Sequence, residues 1–158
     1  MACACGILKR GVWVVALLFL TSLAGVAWWS REPASATEVT VYKSPTCDCC
    51  NSWIQHLRAS GFTVVARDLR DVGEVKARLG VRPELASCHT AVVDGYVIEG
   101  HVPADLIRRL LADRPPVKGL AVPDMPVGSP GMEQGDRKDP YTVFAFDDSG
   151  RTTVYDRR

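Results

Sequence analysis

Residues 38–42 alternate apolar and polar side chains as a strand does, and the residues from 51 onward repeat apolar positions as a helix does. Cys47-Asp48-Cys49-Cys50 sits at the junction between them. No other feature limits the fold as much, because it requires three thiols to share one strand-to-helix turn. A helix N-terminus presents unsatisfied backbone N–H groups and the positive end of a dipole, which favour thiolate over thiol. Thiolates attack disulfides and ligate soft metals, so both chemistries are open at this turn.

Further strand patterns occupy 63–68, 90–93 and 96–99, the last two joined by Asp94-Gly95, a strong hairpin signal. Trp53, Ile54 and Leu57 follow helical spacing, and Gly61 closes that segment as a C-cap does. Residues 71–79, ended by Gly80, read as a second helix. Residues 103–111 read as a third, with Pro103 in its first turn and Leu106, Ile107, Leu110 and Leu111 on one face. The order β-α-β-α-β-hairpin-β-α, with C-x-x-C after the first strand, resembles the thioredoxin fold. The implied architecture is α/β, a mixed sheet flanked by helices. Residues 114–140 are rich in proline and glycine and show no periodicity. Strand character returns at 141–146 and 152–155 around the turn Asp148-Ser149-Gly150, so the chain is expected to end in a hairpin extension. A long loop tethered at both ends favours function over disorder.

Residues 1–36 read as a signal peptide or N-terminal membrane anchor. Lys9 and Arg10 precede an apolar run over 12–29, and Ala34-Ser35-Ala36 matches an A-x-A cleavage site. The run is longer than most signal-peptide cores and ends in Trp28-Trp29, which suits an interfacial belt, so an uncleaved inner-membrane anchor is an alternative. Either way the remainder is expected to be exported to the periplasm. Residues 37–113 form the expected core domain and 114–158 an extension. Without Lys9, Arg10, Arg31 and Glu32, 16 basic side chains face 17 acidic ones, a balance that argues against a nucleic-acid partner.

Cys3 and Cys5 precede the apolar run, so the cysteines that matter are Cys47, Cys49, Cys50 and Cys88. An even number of cysteines in an exported chain usually means structural disulfides. Bridges within 47–50 would close only tiny loops and stabilise little, so a disulfide-held domain without chemistry is the weaker reading. Met125 and Met132 stand in the Pro/Gly-rich loop, an unusual place for a residue that normally fills core gaps. Thiolate and thioether together select Cu(I). Structural zinc typically uses two separated C-x-x-C pairs, and the second is missing; Cys88-His89 cannot easily replace it, because adjacent residues on a strand point to opposite faces. An iron–sulfur cluster would leave the methionines unexplained. With so many sulfur donors together, several bridged ions are easier to accommodate than one.

In thioredoxin-like folds the residue opening the third strand is commonly a cis-proline packed on the active cysteines. Cys88 and His89 occupy that neighbourhood here, and the turn at Gly100-His101 is expected near the same cysteines. Trp53, three residues past Cys50, is expected on its face as core, with shielding of the cluster a secondary role; His56 reads as helix surface. The segments Lys43-Ser-Pro-Thr-Cys-Asp-Cys-Cys50, Ser87-Cys-His-Thr90, Glu99-Gly-His-Val-Pro-Ala104 and Gly128-Ser-Pro-Gly-Met-Glu133 together resemble the CopG-type family, exported thioredoxin-like proteins associated with bacterial copper resistance. That resemblance implies a periplasmic copper site at Cys47, Cys49, Cys50 and Cys88. It extends to His89, His101, Met125 and Met132, with the C-terminal extension contributing. It also implies interconversion of Cu(I) and Cu(II), with periplasmic copper efflux components as partners. Asp124 departs from the family pattern, where glycine is expected. The rival reading is a thiol–disulfide oxidoreductase acting on protein partners, with Cys47 as nucleophile and Cys50 as resolving thiol.

Overall fold

In the computed structural model, which describes residues 37–158, the first strand is β1 (Glu38–Lys43), and its alternation buries Val39 and Val41. The export segment expected over 1–36 lies outside the described residues. After β1 come α1 (Asp48–Ala59), β2 (Thr63–Asp68), a short α2 (Gly73–Arg78), a 3-10 turn (Pro83–Leu85), β3 (Thr90–Val93), β4 (Tyr96–Glu99) and α3 (Ala104–Asp113). Strands β5 (Gly119–Ala121), β6 (Thr142–Phe146) and β7 (Thr152–Arg157) complete one seven-stranded sheet in the order β2-β1-β3-β4-β5-β6-β7. Pairs β1/β2 and β4/β5 are parallel and the others antiparallel, so the sheet is mixed as expected.

One sheet face buries Val39, Val41, Ala91, Ile98 and Leu120 against Trp53, Ile54 and Leu57 of α1 and Leu106, Ile107 and Leu110 of α3. The other buries Val97, Ala121 and Phe146 with Val81 and Leu85. At about 1.5–3 kcal/mol per buried aliphatic or aromatic side chain, these faces hold the helices to the sheet. The two-residue turn Asp94-Gly95, with φ of 47° and 85°, closes the β3/β4 hairpin in the primed geometry that matches strand twist.

Three boundaries differ from the sequence expectation. Helix α2 is shorter than 71–79, and its start is displaced by Asp71, whose carboxylate accepts from the Gly73 N–H. Pro103 is the N-cap of α3, not a first-turn residue. The stretch 114–140 is not structureless, since it contains β5. A Cβ at Gly119 would lie 1.8 Å from the Val97 carbonyl oxygen, so the bare glycine lets this short strand dock on β4. No helix among the described residues is long and apolar enough to cross a membrane.

Candidate metal centre

Cys47 is the N-cap of α1, and its sulfur accepts from the Cys50 N–H at 3.3 Å. The strand-to-helix turn therefore places all three cysteines in the first turn, as the sequence required. Cys88, 38 residues further on, closes the group: its sulfur is 3.6 Å from Cys50 Sγ and 3.7 Å from Cys49 Sγ, while Cys49 lies 3.5 Å from Cys47. Two sulfurs bound to one ion at about 2.3 Å in tetrahedral or trigonal geometry stand about 3.8–4.0 Å apart. These three spacings are within a few tenths of an ångström of that, and the bonded Cys47–Cys50 pair is not. Cys47 and Cys50 are joined by a disulfide, and Cys49 and Cys88 are free thiols.

Cys88 belongs to two donor groups, one with Cys47, Cys49 and Cys50 and one with His89 and His101, each with its ligand atoms within 4.8 Å. Cys88 Sγ lies 3.2 Å from His89 Nδ1 and 3.1 Å from His101 Nε2. The expectation that Cys88 and His89 must diverge is thus wrong. Strand β3 begins at Thr90, so its side-chain alternation does not govern the two residues before it.

Burial decides the protonation of this group. It pushes the Cys88 thiol up to about 12, helped by the charge and hydrogen bond of Cys49. It lowers both imidazoles, His89 well below the ordinary range, so they are neutral at pH 7 with a lone pair each. For His101 the tautomer follows from its partners. The Pro130 carbonyl, 2.8 Å from Nδ1, can only accept, which leaves the Nε2 lone pair toward Cys88. The single Cys88 proton then serves His101, and His89 Nδ1–H donates to the sulfur. His89 Nε2 is buried with no partner among the described residues. Such an orphan costs about 1–3 kcal/mol. Four sulfurs, two neutral imidazoles and an unused buried lone pair fit a soft or borderline cation.

The surroundings bury Cys50, His89 and His101 and fix the loop, while Cys47, Cys49 and Cys88 stay partly exposed. Trp53 is fully buried, donates its indole N–H to the Val102 carbonyl at 2.9 Å and lies 4.3 Å from the His89 ring, so it is both core and shield. Gly131 (φ +86°) lets the loop touch α1: a Cβ there would meet Trp53 N at 2.7 Å and the Cys49 carbonyl oxygen at 2.8 Å. Met132, half-buried, is the next residue in this strap; Met125 is 48% exposed and lines a cleft with Pro126, Tyr141 and Phe144. Asp124 adopts φ +61°, so it takes the left-handed conformation that a glycine would.

Three contributions were not read from the sequence. His56 is not helix surface: it is half-buried, and its Nε2 accepts the Ala104 N–H at 3.1 Å, supplying the α3 cap that Pro103 cannot. The Pro130 carbonyl is a backbone atom and leaves no side-chain signal. Buried Glu99 pairs with Lys76, and its position was recoverable: the Asp94-Gly95 turn puts Glu99 directly across from Thr90.

Fold and site define a mixed α/β protein with a thiol-rich donor cluster at a helix N-terminus. A family model described as a protein of unknown function, DUF411, matches residues 85–132. No curated protein sequence matches the chain. Two solved structures, of "Copper resistance protein copG" in Form 2 and Form 1, are each 46% identical with a TM-score of 0.75. Each match covers 78% of this chain, and 99% and 98% of those chains respectively. The chain belongs to the CopG family of copper resistance proteins.

Proposed function

We propose that this protein binds copper in the periplasm as part of copper resistance, through Cys47, Cys49, Cys50 and Cys88 with His89 and His101. The observation that carries this reading is the position of Cys88, a sulfur within 3.7 Å of two CxCC sulfurs and 3.2 Å of two imidazole nitrogens. Thiolates favour Cu(I) and imidazoles accept Cu(II), so the donor set suits an ion that changes valence between the two. Cys88, shared by both groups, suits a sulfur-bridged cluster of several ions. Bound copper would supply one-electron chemistry; the protein supplies donors, buried imidazoles and a defined His101 tautomer.

The Cys47–Cys50 disulfide withholds two of the four sulfurs, so full loading follows its reduction by an external dithiol, which is oxidised to a disulfide as the Cys47 and Cys50 thiols form. Residues 1–36 would deliver the chain across the inner membrane, either cleaved or kept as an anchor. The extension over 114–158 contributes the Pro130 carbonyl and the Gly131 contact. Met132, next to that contact, is the better-placed thioether, and exposed Met125 suits an encounter with incoming copper or with an efflux partner.

The disulfide itself favours a second reading, thiol–disulfide exchange with protein partners, Cys47 attacking and Cys50 resolving. Cys49→Ser separates them. Copper binding predicts weaker copper retention against a chelating competitor after reduction, whereas the exchange reading predicts unchanged disulfide reductase activity and no copper retention even in the unsubstituted protein.

A further inference from the structure

On the side of the sheet away from the thiols lies a polar cluster that the copper reading does not use. Glu99 ends β4 directly opposite Thr90. It sits two residues after Val97, so its side chain shares the sheet face of Val97, Val81 and Leu85, not the face of Ile98 and Trp53. The carboxylate is fully buried. Its Oε1 accepts from the Ser87 N–H at 2.6 Å and the Lys76 ammonium at 2.5 Å, and its Oε2 accepts from the Thr90 hydroxyl at 2.6 Å. Lys76 also donates to Thr90 Oγ1 at 3.0 Å.

The two residues gripped by this one carboxylate, Ser87 and Thr90, immediately bracket Cys88 and His89. The Gly100 N–H adds a bond to the His89 carbonyl at 3.0 Å, and the Ser87 hydroxyl donates to the Asp124 carbonyl. A buried ion pair is a poor stabiliser, since a well-packed apolar pair usually serves as well or better. A rigid, directional hold on two neighbouring positions is something an apolar pair does not provide. Donors on a short connecting segment are only as well placed as that segment, and about 1 Å of looseness is enough to spoil a site.

We propose that Glu99, paired with Lys76, is a positioning residue that fixes the 87–90 strap so that Cys88 and His89 face the CxCC sulfurs. The metal arm of this inference rests on the copper reading; the geometric arm does not.

The test compares full-length wild type, Glu99→Gln and the apolar pair Lys76→Met/Glu99→Leu, which remains informative if Glu99→Gln does not fold. Leu110→Ala, a core change in α3, serves as a control for lost stability alone. In metal-free, disulfide-intact protein, alkylation at Cys88 by iodoacetamide is followed by peptide mass. Both strap variants are expected to react about tenfold faster or more, and after reduction to bind copper about 10–100-fold more weakly, as outer-shell substitutions do. X-ray absorption should also show fewer sulfur and nitrogen neighbours per copper, with neither change in Leu110→Ala. Alkylation in both strap variants no faster than in Leu110→Ala overturns the inference. Wild-type protein that retains no copper defeats the copper reading instead, and the alkylation rates then decide the positioning role by themselves.

Discussion

Two polar clusters are buried on opposite sides of residues 87–90, and they differ in how completely their hydrogen bonds are made. Around Glu99 each carboxylate oxygen has a donor at 2.5–2.6 Å, and the opposing charge of Lys76 is in contact. Around Cys88 the thiol is held protonated and donates to His101 Nε2, its sulfur accepts from His89 Nδ1–H, and His89 Nε2 has no partner among the described residues. A buried polar network is normally completed by the protein itself. One cluster obeys that rule and holds the chain in place. The other leaves one buried lone pair, His89 Nε2, unused at a cost in stability, which suits the external ion of the copper proposal.

Breaking the closed cluster should produce the largest effect. Lys76→Met leaves Glu99 buried without its counter-charge, an arrangement that costs about 3–5 kcal/mol. Urea denaturation of the metal-free protein measures it; a loss of less than about 1 kcal/mol would mean the pair is not the buried unit described here. Gly131→Ala tests the loop that encloses the open cluster. The new Cβ collides with Trp53 N and the Cys49 carbonyl, and the positive φ is retained at a strain of about 1–3 kcal/mol. We expect lower thermal stability and weaker copper binding together, by calorimetry and competitive chelation.

The open cluster should respond with the opposite sign. His89→Leu removes the orphaned nitrogen and keeps an apolar neighbour for Trp53, so the metal-free protein is expected to gain about 1 kcal/mol while losing a copper donor. Equal destabilisation by His89→Leu and Lys76→Met would erase the distinction between the clusters. The smallest effect is a pH dependence. Below its ordinary value of 9.0, Cys88 is protonated whether folded or unfolded and contributes nothing. Between there and about 12 the unfolded chain loses a proton that the folded chain retains, so stability falls as pH rises through that window. The difference between wild type and Cys88→Ala in denaturant titrations should change with pH over this range and stay constant around neutral pH.

The contrast also separates what was legible in the sequence from what was not. The strand-to-helix turn, the Asp94-Gly95 hairpin and the helical spacing of α1 are local patterns, and they place Cys47, Cys49 and Cys50 before any tertiary contact is considered. Cys88, His89 and His101 required a fold resemblance, because only the sheet order brings residues 38 or more positions away to the first turn of α1. Strand β5 was missed because Gly119-Leu120-Ala121 is too short for a period and takes its conformation from β4 and β6. His56 was misread since its partner, the Ala104 N–H, lies 48 residues away. The methionines stood out by composition, yet only Met132 is adjacent to a contact with the cysteine turn.

The central claim, that Cys88 joins the CxCC sulfurs and the imidazoles in one copper centre, is tested most directly by a metal-to-protein ratio combined with X-ray absorption at the copper edge on reduced, copper-loaded protein. The account predicts at least one equivalent of copper in a sulfur-dominated shell with nitrogen neighbours, and loss of both sulfur and nitrogen signal in Cys88→Ser. Stoichiometric zinc in place of copper, no retained metal, or a Cys88→Ser shell identical to wild type would contradict it.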